Sequence, residues 1–198
     1  MTYIVFFIML FSGFNNSGTK NRNNYKARIY NHFCSTKFIH SWSKIIKQSS
    51  KKYKVDERLI KSIICIESSG NTKAISRSNA IGLMQIKPFS AGREVYRFQG
   101  KIGQPSLRDL YNPKINIDIG TAYVHILQHR ELVGIHNMEM LRYATIISYV
   151  NGSQALFRTF SSSREEAIKK LNKMKKQEFF SHIKKNIEHY KLGNILKK

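Results

Sequence analysis

A mainly α fold is predicted for this chain of 198 residues, on three observations. Apolar side chains recur at helical spacing over most of the length, and period-two alternation is scarce. Gly-Asn and Asp-Gly hairpin signals are few. The length suits one domain with a sizeable core, preceded by a short leader.

The elements follow in order. "MTYIVFFIMLFSGFNNSG" carries a nine-residue apolar run, Tyr3 to Phe11, then small and polar residues. That suits the h-region of an export signal and is too short to span a bilayer, although no Lys or Arg precedes it. Residues 1–18 are therefore read as an export signal or anchor. Residues 19–41, rich in Asn, Ser and Lys without a sustained period, read as a linker. A helix is expected from Trp42 to about Lys52. The next is the best defined: Asp56 can cap it, apolar residues recur at Leu59, Ile60, Ile63, Ile64 and Ile66, and Gly70 is a natural stop. A loop follows, then a short helix over Ala80 to Ile86, in which Gly82 suggests a close backbone approach. "GREVYRF" is a further short helix and "GKIGQPSLRDLYNP" is irregular. Asn116–Leu132, Met138–Val150, Ser153–Phe160 and Ser163–Met174 read as four more, and the tail from Glu178 as helical and basic. The last six residues, 193–198, form a basic tail.

A net charge of +22 raises the question of nucleic acid, but only +6 of it lies within residues 59–160. No nucleic-acid-binding motif accompanies it. The abundance of Lys, Asn, Ile and Tyr fits drift toward A/T-rich codons, and the remaining charge suits attraction to an anionic envelope surface. Of the two cysteines, Cys34 falls in the linker and Cys65 is expected to be a small buried hydrophobe rather than half of a disulfide.

Glu67 is the residue on which chemistry could turn. It follows Ile60 by seven, Ile63 by four and Ile64 by three, on the stripe facing the core. Burial disfavours its charged form, and the helix C-terminus adds the negative end of a dipole. Both raise its pKa, as a general acid near neutral pH requires. The same stretch would also describe a last-turn Glu paired with a Lys. His125 and His129 stand at i, i+4, a spacing open to zinc, but no Glu-x-x-His pattern or third ligand accompanies them, and surface or core histidines are expected.

"ESSGN…SRSNAIGLMQ" resembles the goose-type-lysozyme-like lytic transglycosylases, whose signature joins Glu-Ser to a downstream Gly-Leu-Met-Gln. "SRSNAIGLMQIKPFSAGREVYR", "NPKINIDIGTAYVHIL" and "ISYVNGSQALFRTFSS" are similar to the endo-type membrane-bound lytic murein transglycosylases of the E and A types, in collinear blocks covering about residues 42–186. The resemblance implies a lysozyme-like (goose-type) domain over 42–192, no cofactor or metal, and action on peptidoglycan glycan strands. The bond cut would be the β-1,4 link between N-acetylmuramic acid and N-acetylglucosamine. It further implies that Glu67 alone gives and takes the proton, the muramyl 6-hydroxyl closing to a 1,6-anhydro end without water. Ser76, Ser78, Met84, Gln85, Tyr149 and Asn151 match positions at the glycan groove. Tyr190 is the one tyrosine available for an aromatic that the family brings back to its catalytic Glu, while Tyr123 reads as core.

A monomer in the cell envelope is implied, on the periplasmic face and associated with the outer membrane. The lipoprotein box of the family is replaced by Leu10-Phe11-Ser12-Gly13-Phe14, with Phe14 at the cysteine position, so a lipid anchor is not expected. Two alternatives stand beside the lyase: a lysozyme-type muramidase using the same Glu67, and a non-catalytic wall-binding protein.

Overall fold

The computed structural model describes the backbone of residues 36–195 and the side chains of 41–186. The leader, Cys34 and the side chain of Tyr190 fall outside that range. The described residues form two compact α-helical units, one ending at His129 and one beginning at Arg130. No strand occurs among them; two isolated bridges, Ile75 with Ile81 and Ile81 with Ile86, are the only β pairing described.

In the first unit, α1 (Thr36–Tyr53) packs on α2 (Glu57–Ser68) and on α5 (Pro113–Ile126). α1 starts six residues before the expected Trp42, because no Gly or Pro between Thr36 and Trp42 stops helix propagation. Asp56 caps α2, accepting from the Arg58 N–H at 2.7 Å. The helix ends at Ser68, with Ser69 left-handed (φ 53°) and its N–H donating to the Cys65 carbonyl at 3.1 Å, so Gly70 follows the stop rather than making it.

Beyond a π turn at Pro88–Gly92 come α3 (Arg93–Phe98) and α4 (Leu107–Tyr111), the latter inside the stretch expected to be irregular. Ser106 and Asp109 close a capping box over α4, which carries a helix too short to show a hydrophobic period. α5 has the most enclosed surroundings, with Asn116, Ile117, Ile119, Gly120, Thr121, Ala122, Val124 and Ile126 all buried. It contacts α1, α3, α4 and the π turn, so it is the axis on which this unit is built. Asn112 caps it through the Lys114 and Ile115 N–H groups, and Pro113 occupies the first turn, where no N–H is needed.

The second unit contains α6 (Met138–Asn151), α7 (Ser153–Phe160), α8 (Arg164–Lys173) and α9 (Lys176–Ile195). α7 packs on α6, α8 and α9 around Phe157, Phe160, Phe179 and Phe180. Phe179 and Phe180 meet edge-on at 5.4 Å, and Phe179 stacks on Phe160 at 5.9 Å.

Candidate active site

Glu67 lies in the last turn of α2 and is half-buried, continuing the stripe of Ile60, Ile63 and Ile64. Burial pushes its carboxyl up to about 7, the Lys87 ammonium pulling part of the way back. Its position at the negative end of the helix acts in the same direction as burial. A near-neutral carboxylic acid is thus assembled from a helix stripe and one end of a loop.

That loop, residues 69–87, is not the helix expected at Ala80–Ile86. Gly82 (φ 77°) and Gln85 (φ 47°) both take left-handed conformations, which a right-handed helix cannot contain. Instead Ile81 and Ile86 exchange two backbone bonds at 3.0 Å and close a four-residue turn over Gly82–Gln85. The close approach expected at Gly82 is present. A Cβ there would stand 2.5 Å from the Leu110 carbonyl oxygen and nearer still to Asn116 Nδ2.

Three side chains hold the turn. Ser68 Oγ donates to the Leu83 carbonyl at 2.8 Å, fastening the turn to the end of the helix that carries Glu67. Gln85 Nε2 donates to the Ala74 carbonyl at 3.2 Å and the Gly82 carbonyl at 3.1 Å. Asn116, fully buried on α5, accepts from the Met84 N–H at 2.8 Å and donates to the Ile81 and Leu110 carbonyls at 2.9 and 2.8 Å.

Ser76 and Ser78 stand together on the preceding bend, their hydroxyls 3.1 Å apart. Ser76 Oγ also accepts from the Ser78 and Ala80 N–H groups at 3.2 and 3.0 Å, so it shapes the bend, while Ser78 is exposed. Met84 has no exposed surface and packs against Gly120, where a Cβ would lie 2.8 Å from its own Cβ. Its side chain belongs to the core beneath the turn.

Tyr149, half-buried, and Asn151 occupy the last turn of α6 in the second unit, Asn151 Nδ2 donating to the Ile147 carbonyl at 3.2 Å. Tyr190 lies on the described backbone of α9, but its side chain is outside the described residues. Tyr123 is half-buried on α5. The two histidines stack at 4.0 Å, with Nδ1 of each bonded to a backbone carbonyl. No group of three metal-ligating side chains occurs among the described residues.

Cys65 corrects one expectation: it is half of a disulfide, and Cys34 is the chain's other cysteine. Cys65 lies off the Ile60–Ile63–Ile64–Glu67 stripe and is half-buried rather than in the core. Asn116, Ser68 and Lys87 are the site residues that sequence reasoning missed. A polar side chain on the buried stripe Asn116–Ile119–Gly120–Tyr123 was the available signal for the first of them.

Residues 44–172 match the model of the transglycosylase SLT domain. Membrane-bound lytic murein transglycosylase E of Buchnera aphidicola subsp. Baizongia pistaciae is 54% identical, over all of this chain and 93% of its own. Endo-type membrane-bound lytic murein transglycosylase A of Enterobacter sp. strain 638 is 47% identical over 86% of this chain and 84% of its own. A solved inactive mutant of the lytic transglycosylase Slt of Pseudomonas aeruginosa matches 82% of this chain with a TM-score of 0.54 at 20% identity. The match covers 27% of that longer chain and shows the lysozyme-like α fold alone. On the family match and the similarity to relatives over most of their length, this chain belongs to the transglycosylase SLT family.

Proposed function

We propose that the chain is an endo-acting lytic transglycosylase that cleaves peptidoglycan between N-acetylmuramic acid and N-acetylglucosamine, with Glu67 as its single acid–base group. The observation that carries this reading is the Glu67 carboxyl, raised to about 7 by burial against the opposing pull of the Lys87 ammonium. At neutral pH a large share of it carries the proton that the glycosidic oxygen must receive. The resulting carboxylate then accepts the proton of the muramyl 6-hydroxyl as that oxygen bonds to the anomeric carbon. Glu67 ends as it began, and no water enters.

Hydrolysis would need a second carboxylate to hold water on the opposite ring face. Two carboxylates from the later blocks are engaged elsewhere. Asp109 caps α4, and Asp118 receives Lys52 at 2.8 Å and the Tyr53 hydroxyl at 2.9 Å. The internal hydroxyl also has proximity in its favour, worth effective molarities on the order of 10⁵ M or more. Ser78 and Gln85 are proposed to contact the sugar, Ser76 to set the bend that presents Ser78, and Met84 to support the turn from beneath. Tyr149, Asn151 and Tyr190 are proposed to line the groove. The names of the relatives support the endo mode and membrane association.

An envelope location on the periplasmic face of the outer membrane is proposed, with a monomeric enzyme. The Cys65 disulfide supports an oxidising compartment. No described helix is long and apolar enough to cross a membrane. Digestion of peptidoglycan by the purified protein, with borohydride reduction and mass analysis of the products, tests the reading. Products ending in 1,6-anhydro-N-acetylmuramic acid, lighter by one water and resistant to reduction, are expected; a majority of reducible muramic ends would identify a hydrolase.

A further inference from the structure

The conformation of the Gly82–Gln85 turn is not determined by the turn's own residues alone. Two of its four backbone positions are left-handed, one of them a glutamine, and its interior N–H and C=O groups are buried with Leu83 and Met84 at zero exposure. Buried backbone groups need partners. One of those partners, the acceptor for the Met84 N–H, is a carboxamide 32 residues away on α5, which also donates to the Ile81 carbonyl on the stem and to the Leu110 carbonyl at the end of α4.

We propose that Asn116 is a positioning residue of the active site: its carboxamide seats the Gly82–Gln85 turn on α5, and the turn, through Leu83 and Ser68, fixes the end of the helix that carries Glu67. The geometry defines the amide orientation, since Oδ1 faces an N–H and Nδ2 faces two carbonyls. The reversed amide would set oxygen against oxygen twice. Its three bonds also span three segments: Met84 and Ile81 on the turn and its stem, and Leu110 at the end of α4. Gly82 completes the seat, because any side chain there would occupy the space of Asn116 Nδ2 and the Leu110 oxygen.

The chain of contacts then runs outward. Leu83 presents its carbonyl to Ser68 Oγ at 2.8 Å, one residue from Glu67. Lys87, just past the Ile81–Ile86 closure, acts on the Glu67 carboxyl. Burial and the Lys87 field at Glu67 therefore both depend on where the turn sits. Asn116 touches neither substrate nor reacting atoms, and acts through the groups that surround Glu67. The proposal rests on Glu67 as the acid–base group for its kinetic consequence, but not for its structural one.

The test uses the full chain with Asn116→Ala and Asn116→Asp. Glu67 is followed by carboxyl-carbon NMR titration, its signal assigned with Glu67→Gln, and turnover is measured on peptidoglycan. Asn116→Ala is expected to lower the Glu67 midpoint from about 7 toward the ordinary 4.5, because loss of burial outweighs loss of Lys87. Its kcat should fall on the order of 100-fold, the scale of a displaced catalytic group, with a smaller change in KM.

Asn116→Asp, while protonated, keeps one donor and one acceptor and so retains two of the three bonds. It should be more active than Asn116→Ala at acid pH and lose that advantage as it ionises against the two carbonyls. A general loss of packing would not produce that pH-dependent rescue. Should Asn116→Ala fail to fold, Asn116→Asp decides alone: a folded Asp variant with the wild-type midpoint and wild-type kcat at every pH overturns the proposal. So does a folded Ala variant with an unchanged Glu67 midpoint. If the wild type makes no anhydro products, the catalytic reading fails, while the titration of the variants still judges the seat.

Discussion

Residues 138–173 and residues 69–87 are built by different rules. In the first stretch the helix starts are set by neighbouring residues: Asn137 and Ser163 cap the helices that follow them, and Gly152 (φ 89°) turns the chain between α6 and α7. In the second, Ser69, Asn79 and Gln85 are non-glycine residues in left-handed conformations, each costing roughly 1–2 kcal/mol against a right-handed one. What holds them comes partly from within the stretch, from Ser76 and Gln85, and partly from outside it, from Asn116 and Ser68. The strained segment follows directly on the helix turn that carries Glu67, and the relaxed one makes a hydrophobic core. Strain of this kind persists only where the surroundings over-determine the backbone.

The largest expected effect separates chemistry from folding. Glu67→Gln keeps the shape of the side chain but can neither give nor take the proton, so release of muropeptides should drop at least ~100-fold. Retention of more than a tenth of wild-type turnover would remove Glu67 from the mechanism. A substitution in the strained stretch should act on stability instead. Gly82→Ala places a Cβ 2.5 Å from a backbone oxygen at φ 77°. Overpacking and the left-handed backbone together should cost about 2–4 kcal/mol by chemical denaturation. Gly152→Ala, at φ 89° and ψ 146° but with open space around its Cβ, should cost about 1–3 kcal/mol, from the backbone alone. Equal losses at the two glycines would erase the contrast between the stretches.

Legibility in the sequence follows the same division. The Asp56 cap, the Ile60–Ile63–Ile64–Glu67 stripe and Ser153–Phe160 could be read directly, because spacing and capping are local properties. The Ala80–Ile86 turn reads as a helix in the sequence, since its apolar residues suit one and the left-handed Gln85 leaves no signature. Ser76 was read for its hydroxyl, yet two backbone N–H groups occupy that oxygen. Asn116 was passed over because its partners lie up to 35 positions away. The Cys65 disulfide could not be inferred from two cysteines with no spacing pattern.

Smaller effects sharpen the electrostatic side. The folded state holds the Glu67 proton up to about 7, whereas the unfolded chain releases it near 4.5. Between those values the folded state binds more protons, so this group's contribution to stability declines as pH rises from 4.5 to 7. Glu67→Gln is free of that penalty and should be more stable than wild type by up to ~3 kcal/mol above pH 7, with little difference below pH 4.5. Thermal melts at pH 4 and pH 8 would show whether the gap opens in that direction. Ser68→Ala, which removes the 2.8 Å bond to Leu83, should cost about 1 kcal/mol.

The central claim is that a carboxylic acid made near-neutral by burial, and no other, drives the cleavage. It is tested most directly by the pH dependence of anhydro-muropeptide release at low substrate. With Glu67 titrating at about 7, kcat/KM should fall about tenfold per pH unit above that value as the proton is lost. A rate that stays flat or climbs through pH 9, with the protein still folded, would contradict it.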